Sequence, residues 1–387
     1  MDILLNEEEQ MVRDSARSVL ESECTTALAR AMEKDALGYP PALWKQIADL
    51  GWVGMCLPEA YGGQGMALTY LGLIIEEMGR AMAPLPLLST AVPAMTIAEF
   101  APDALKQSVL PAVSSGDLIL TFAYQERDAR LNPDAIKTTA VLDGDNYVVN
   151  GTKMFVDNSN VAGKVLAVVR TEPGSTGRNG LGLLLIDMNA SGVKQTLEVT
   201  TAKDKQGRVD FTNVRVPKAN LVAAGWAPIE KMLDVATALL VVQMEGCARK
   251  DAEITIAYAK ERVAFGRPIG AFQSVAHMLA DAIMWCDGAQ LLGYEALWAL
   301  ANRGNAGLEV SQAKSFANDR LVPAVRIGQQ IHGGIGFMME FDIALYYRRV
   351  AAWSMRLGTS FEHRARIAAA LIDQPGKVRL GEPIATL

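Results

Sequence analysis

The sequence predicts an α+β chain of three parts. These are an N-terminal helical domain over 1–116, a middle β-sandwich or barrel over 117–224 and a C-terminal four-helix bundle over 225–387. Three observations carry this. Apolar residues recur at helical spacing in the first third. Between Leu118 and Val216 they fall instead into short runs separated by Gly, Ser, Asn and Pro. After Ile229 the helical period returns, in runs long enough to bury continuous faces against one another.

In order, Asn6 is placed to cap a helix whose first turn is Glu7-Glu8-Glu9, where the helix dipole favours acids. Met11, Val12, Val19 and Leu20 form its apolar side. Pro40-Pro41 punctuates, and Leu43, Trp44, Ile47 and Leu50 resume helical spacing. Leu57 to Gly65 reads as a loop, Leu68 to Met82 as a helix ended by Pro84 and Pro86, and Leu88 to Val113 as the rest of the helical part. Leu118 to Tyr124 is a buried-strand candidate. Thr138 to Leu142 and Tyr147 to Val149 flank Asp143-Gly144-Asp145, a hairpin signal. Val165 to Val169, Leu181 to Ile186 and Val209 to Val216 are further strands, with Arg170 to Gly180 a surface loop. Helical runs follow over Met232 to Arg262, Ser274 to Asn302, Ser311 to Ile331 and Phe341 to Ile372.

Of 387 residues, half are apolar and the formal charge is −6, which speaks against a general nucleic-acid binder. Cys24, Cys56, Cys247 and Cys286 lack CxxC spacing, and the three histidines are far apart, so no disulfide framework or metal site is expected. His332 is expected to hydrogen-bond within its turn, His277 to fall on a packed helix and His363 near a helix surface. Met1 to Leu4 lacks the features of a signal peptide. The uncharged run Ala81 to Ala98 contains Pro84, Pro86 and Pro93, a poor membrane span. A soluble, cytoplasmic protein is expected.

The chemistry-bearing stretch is Gln330 to Thr359. It holds Gln330-x-His332-Gly333-Gly334-x-Gly336 between helical runs, and a Gly358-Thr359 pair one helix later. Such glycines either let backbone N–H groups approach a phosphate or flat ring, or simply fill a tight helix connection.

Several further motifs, in order and at their separations, resemble those of the acyl-CoA dehydrogenases. They are Leu57-Pro58-Glu59-x-Tyr61-Gly62-Gly63, Asn150-Gly151-x-Lys153, Tyr258-Ala259-x-x-Arg262-x-x-Phe265-Gly266-x-Pro268-Ile269 with Phe272-Gln273, and the His-Gly-Gly turn. The resemblance implies an acyl-CoA dehydrogenase-like fold, FAD as cofactor, a CoA thioester as substrate, a homo- or hetero-tetramer, and electron-transfer flavoprotein as electron acceptor. It places Arg262, Phe265, Gln273, Gln330, Gly333 and Gly334 at the FAD tail of a neighbouring subunit, and Phe155 and Thr359 near this chain's own flavin ring.

The chain also departs from the family pattern. The glutamate that precedes the Gly-Thr pair is Leu357 here, and the family's second base location falls near Ala236-Thr237. The Thr-Glu-Pro-x-Ala-Gly-Ser-Asp segment reads Gln125 to Asn132. The Trp-x-Thr beside the ring reads Phe155-Val156-Asp157, which would set a negative charge near a ring that becomes anionic. Three readings follow. The first is a base-less subunit of a hetero-oligomeric dehydrogenase that completes a partner's FAD site, as in some bacterial members acting on steroid side chains or termed pimeloyl-CoA dehydrogenase small subunits. The second is a self-sufficient enzyme with its base at Asp234 or Glu245. The third is an FAD-free CoA-thioester binding or scaffold protein.

Overall fold

The computed structural model describes residues 5–128 and 130–373. Met1 to Leu4, Ala129 of the altered ring-side segment and 374–387 of the C-terminal part lie outside the described residues.

Six helices come first: α1 (Glu7–Glu23), α2 (Thr26–Lys34), α3 (Pro41–Asp49), α4 (Leu68–Ala81), α5 (Leu87–Phe100) and α6 (Asp103–Ser114). Asn6 caps α1 reciprocally with Glu9, the two side-chain to backbone bonds measuring 2.9 and 3.0 Å. The sequence pattern does not show α2. It is only nine residues long and buries only Ala29.

The middle part is one eight-stranded sheet. Its strands are β1 (Leu120–Ala123), β2 (Thr139–Asp143), β3 (Asn146–Asp157), β4 (Lys164–Arg170), β5 (Leu181–Asp187), β6 (Val193–Glu198), β7 (Gln206–Pro217) and β8 (Leu221–Ala224). Their order is β6-β7-β3-β2-β4-β5-β8, with β1 parallel to β4. β6 and β8 are the edge strands. Sequence reading passes over both, because β6 buries no residue and β8, although apolar, is only four residues long. The loop after β4 is at the surface, yet Arg170 is buried beneath it. Its guanidinium donates to the carbonyls of Pro133, Ile136, Gly177 and Asn179.

The C-terminal part comprises α7 (Trp226–Glu261), a two-residue ribbon of β9 (Val263–Ala264) and β10 (Arg267–Pro268), then α8 (Gln273–Asn302), α9 (Gly307–His332), α10 (Ile343–Trp353) and α11 (Ser360–Leu371). α7, α8 and α9 pack on one another, and α4 packs on α7 and α8, which fastens the first helical part to the last. Among the described residues, no helix is long and apolar enough to cross a membrane.

The run expected from Phe341 to Ile372 is not one helix. It breaks between Trp353 and Ser360 because Leu357 (φ +55°) and Gly358 (φ +98°) take left-handed backbone, which an α-helix cannot continue. His363 is likewise not at a surface. It is fully buried, its Nε2 lies 2.8 Å from the Leu357 carbonyl, and a Cβ on Gly358 would sit 2.6 Å from that nitrogen.

Candidate active site

The expected site residues fall into two groups. The first is a surface group at the far ends of α7 and α9. Arg262 caps α7, its N–H donating to Tyr258 at 2.8 Å, and its side chain is exposed. Phe265 (φ +52°) and Gly266 (φ +80°) form the two-residue turn between β9 and β10, the left-handed pair that a tight hairpin requires. A phenylalanine in that conformation carries backbone strain, and this one is 95% exposed. Gln273 opens α8 and Gln330 stands on the last turn of α9, both exposed. Gly333 (φ +65°) and Gly334 follow with open space where a Cβ would stand. His332 ties these segments together. Its hydrogen bond is not within the turn as expected but back into α9, with Nδ1 2.8 Å from the Gly328 carbonyl, and its ring stacks on Tyr258 at 4.3 Å. The group therefore offers a cation, two amides and bare backbone, each of them exposed.

The second group lines two adjoining clefts. Phe155, also left-handed (φ +52°), lies in the smaller cleft with Phe122, Tyr124 and Leu131. The larger cleft runs between apolar residues such as Met78, Met82, Leu85 and Leu240 and a charged side. Leu357 lines both, and the surface group lines neither. Thr359 is not free for a ligand. It is the N-cap of α11 in a capping box with Glu362, whose other oxygen accepts from Leu131 N–H at 2.6 Å.

Three buried side chains hold the α10–α11 linker from beneath. Lys314 donates to the Trp353 carbonyl at 2.9 Å, Asn318 to that of Gly358 at 3.2 Å, and His363 contacts that of Leu357. Burial without an acid partner pushes the Lys314 ammonium down to about 7 from 10.5. The unfolded chain then binds more protons than the folded one between those values, so stability rises with pH across that window. Lys314→Met is expected to stabilise the protein by about 2–4 kcal/mol at pH 7 and to flatten the rise in melting temperature from pH 7 to pH 9, roughly as the linkage relation gives. Thermal melts of both proteins across that range check it.

The acids fall elsewhere than the sequence suggests. Asp157 does not stand as a lone negative charge. Its Oδ2 pairs with Arg356 and its Oδ1 accepts from Gln206 Nε2 at 3.0 Å. Asp234 lies on α7 outside both clefts, gripped by Arg366 at 2.8 and 3.1 Å, with burial raising its carboxyl despite the arginine. Glu245 is wholly buried and bonded to Arg249 at 2.5 Å. Burial and the neighbouring Glu76 raise it well above the usual carboxylate range. Neither is positioned as a base beside Leu357.

Sequence reasoning missed Arg356, which directly precedes Leu357 and complements Asp157. It also missed that two quoted segments meet. Glu126 and Lys153 form a buried ion pair at 2.7 Å, and the lysine also donates to the Tyr124 carbonyl at 3.2 Å. Burial opposes ionisation of Glu126, but Lys153 and the N–H groups of Lys137 and Thr138 outweigh it and hold the carboxyl below its usual range.

Domain models of the acyl-CoA dehydrogenase family match the chain throughout: N-terminal domain at 6–117, middle domain at 121–214, C-terminal domain at 223–372. The probable acyl-CoA dehydrogenase YngJ of Bacillus subtilis is 30% identical over 386 residues, covering 96% of this chain and 100% of that one. The steroid acyl-CoA dehydrogenase Tcur3481-Tcur3483 superposes with a TM-score of 0.87 at 32% identity, over 95% of this chain and 98% of that one. The ChsE4-ChsE5 complex from Mycobacterium tuberculosis gives a TM-score of 0.89 at 25% identity, over 97% and 100%. The chain belongs to the acyl-CoA dehydrogenase family, FAD-dependent oxidoreductases acting on the CH–CH group of CoA thioesters.

Proposed function

We propose that this chain is a base-less subunit of a hetero-oligomeric acyl-CoA dehydrogenase, whose exposed α7–α9 face completes the FAD site of a catalytic partner. One observation carries the reading: every carboxylate lining the cleft around Leu357 is already engaged. Asp157 is held by Arg356 and Gln206. Asp204 accepts from Thr200 at 2.8 Å and Trp353 at 3.3 Å, and Glu33 from Arg348 at 2.9 Å with Lys203 at 4.0 Å. Leucine accepts no proton, and a positioned base is worth roughly 10²- to 10⁴-fold in such a step.

The residues present suit FAD at its tail. Arg262 offers a planar cation to phosphate oxygens, Gly333 and Gly334 offer approach to backbone N–H groups, and Gln273, Gln330 and the exposed Phe265 stand beside them. FAD, when bound, takes up the hydride from the thioester β-carbon. In this reading the tail residues bind and orient it for the partner, and Phe155 flanks the chain's own ring side. Both solved relatives named above are described by pairs of proteins, which favours a hetero-tetramer. Electrons would pass to electron-transfer flavoprotein, and the substrate class is a lipid or steroid acyl-CoA. The test compares thioester-dependent flavin reduction by the chain purified alone and co-purified with a dehydrogenase-like partner: the pair reacts and the lone chain does not.

A further inference from the structure

α2 buries only Ala29, yet Thr26, Arg30 and Glu33 recur along it at i, i+4 and i+7, so they share one side of the helix. All three reach the chain that follows the His-Gly-Gly turn. Arg30 donates through Nη1 to the Met339 carbonyl, and through Nη2 to the Glu340 carbonyl and the Asp342 carboxylate at 3.0 Å each. Thr26 donates to the other Asp342 oxygen at 3.0 Å. Asp342 is the N-cap of α10 but makes no side-chain cap bond; its oxygens go instead to α2. Glu33 accepts from Arg348 of α10 at 2.9 Å. The gripped segment leads straight back to the turn. Met338 N–H donates to the Ile335 carbonyl and Phe341 N–H to that of Met338, each at 3.1 Å, and the Phe341 ring lies 5.3 Å from that of His332. Ile335, Phe337, Met338 and Met339 are exposed in this chain, so packing of these side chains does not fix the segment.

We infer that α2 is a brace and Arg30 a positioning residue: its grip holds the chain after Gly333-Gly334 in the shape that receives the FAD tail. The inference rests on the reading above in taking that turn as part of the tail site. It deepens that reading by giving the N-terminal helical part a share in the site. A loop that holds its binding shape only part of the time binds more weakly in proportion. Releasing the brace therefore lowers affinity without removing any group that touches the flavin.

Arg30→Ala, in the full chain assembled with a catalytic partner, is expected to weaken FAD binding about tenfold, the receptive shape falling to roughly a tenth of the population. Arg30→Lys keeps a cation for Asp342 and loses less. Turnover returns when excess FAD is added. In the lone chain, amide hydrogen exchange at 335–342 quickens at least about tenfold in Arg30→Ala, while α7 and α9 keep their wild-type rates. A residue that merely stabilised the fold would quicken exchange throughout. Asp342→Ala cuts the same grip from the other side and gives the same pattern, which decides the matter even if Arg30→Ala does not fold. The brace is overturned if exchange at 335–342 is unchanged, or if FAD affinity is unchanged where Arg262→Ala has lost it. If Arg262→Ala also keeps its flavin, the tail reading itself falls, and the brace with it.

Discussion

Arg262→Ala in this chain, assembled with a catalytic partner, is expected to weaken FAD binding about 100-fold and to abolish turnover at ordinary flavin concentrations. A charge-assisted bond to a phosphate is worth about 1.5–3 kcal/mol, and a guanidinium makes two in parallel. The side chain is exposed in the single chain, so nothing in its own subunit depends on it, and the melting temperature of the isolated protein stays unchanged. The flavin lost is the one in the partner's active site. Turnover therefore falls with flavin content and returns when excess FAD is added. Flavin counting by absorbance, with and without added FAD, checks this. A variant assembly that keeps its full flavin complement under dilution contradicts it.

Lys153→Met is expected to destabilise the fold by about 3–5 kcal/mol, because it leaves the Glu126 carboxylate buried without its cation. Lys153→Met combined with Glu126→Leu recovers most of that loss, since two apolar groups leave no charge to solvate. The pair also matters to the site. Through the Tyr124 carbonyl it joins the end of β1 to β3 two residues before Phe155, which sets the shape of the smaller cleft. Denaturant unfolding of the single and double variants tests the claim. A single variant within about 1 kcal/mol of the wild type would show the pair to be incidental.

Much of the fold is legible because its signals are local. Asn6 and Glu9 announce a helix start, and Asp143-Gly144-Asp145 a hairpin. β6 stays hidden because it buries no residue, and β8 because a run of four residues is too short to show a pattern. The break at 354–359 stays hidden because Leu357 adopts a conformation its side chain does not advertise. The resemblance marks Arg262, Phe265, Gln330 and the glycines as one set, and in the structure each of them is exposed. What one chain's sequence cannot show is which distant charges meet. Asp157 reads as a liability until Arg356 is seen beside it, and Asp234 and Glu245 read as bases until Arg366 and Arg249 are seen to hold them. Thr359 reads as a cofactor contact, although Thr359-x-x-Glu362 already carries the capping-box pattern that explains it.

The most direct measurement mixes the lone, FAD-loaded chain anaerobically with a series of acyl-CoA thioesters and follows the oxidised-flavin absorbance. With leucine before the Gly-Thr pair and every nearby acid engaged, the colour persists for the lone chain and bleaches only when the partner subunit is present. Rapid bleaching of the lone chain by any thioester would mean that its own residues supply a base after all.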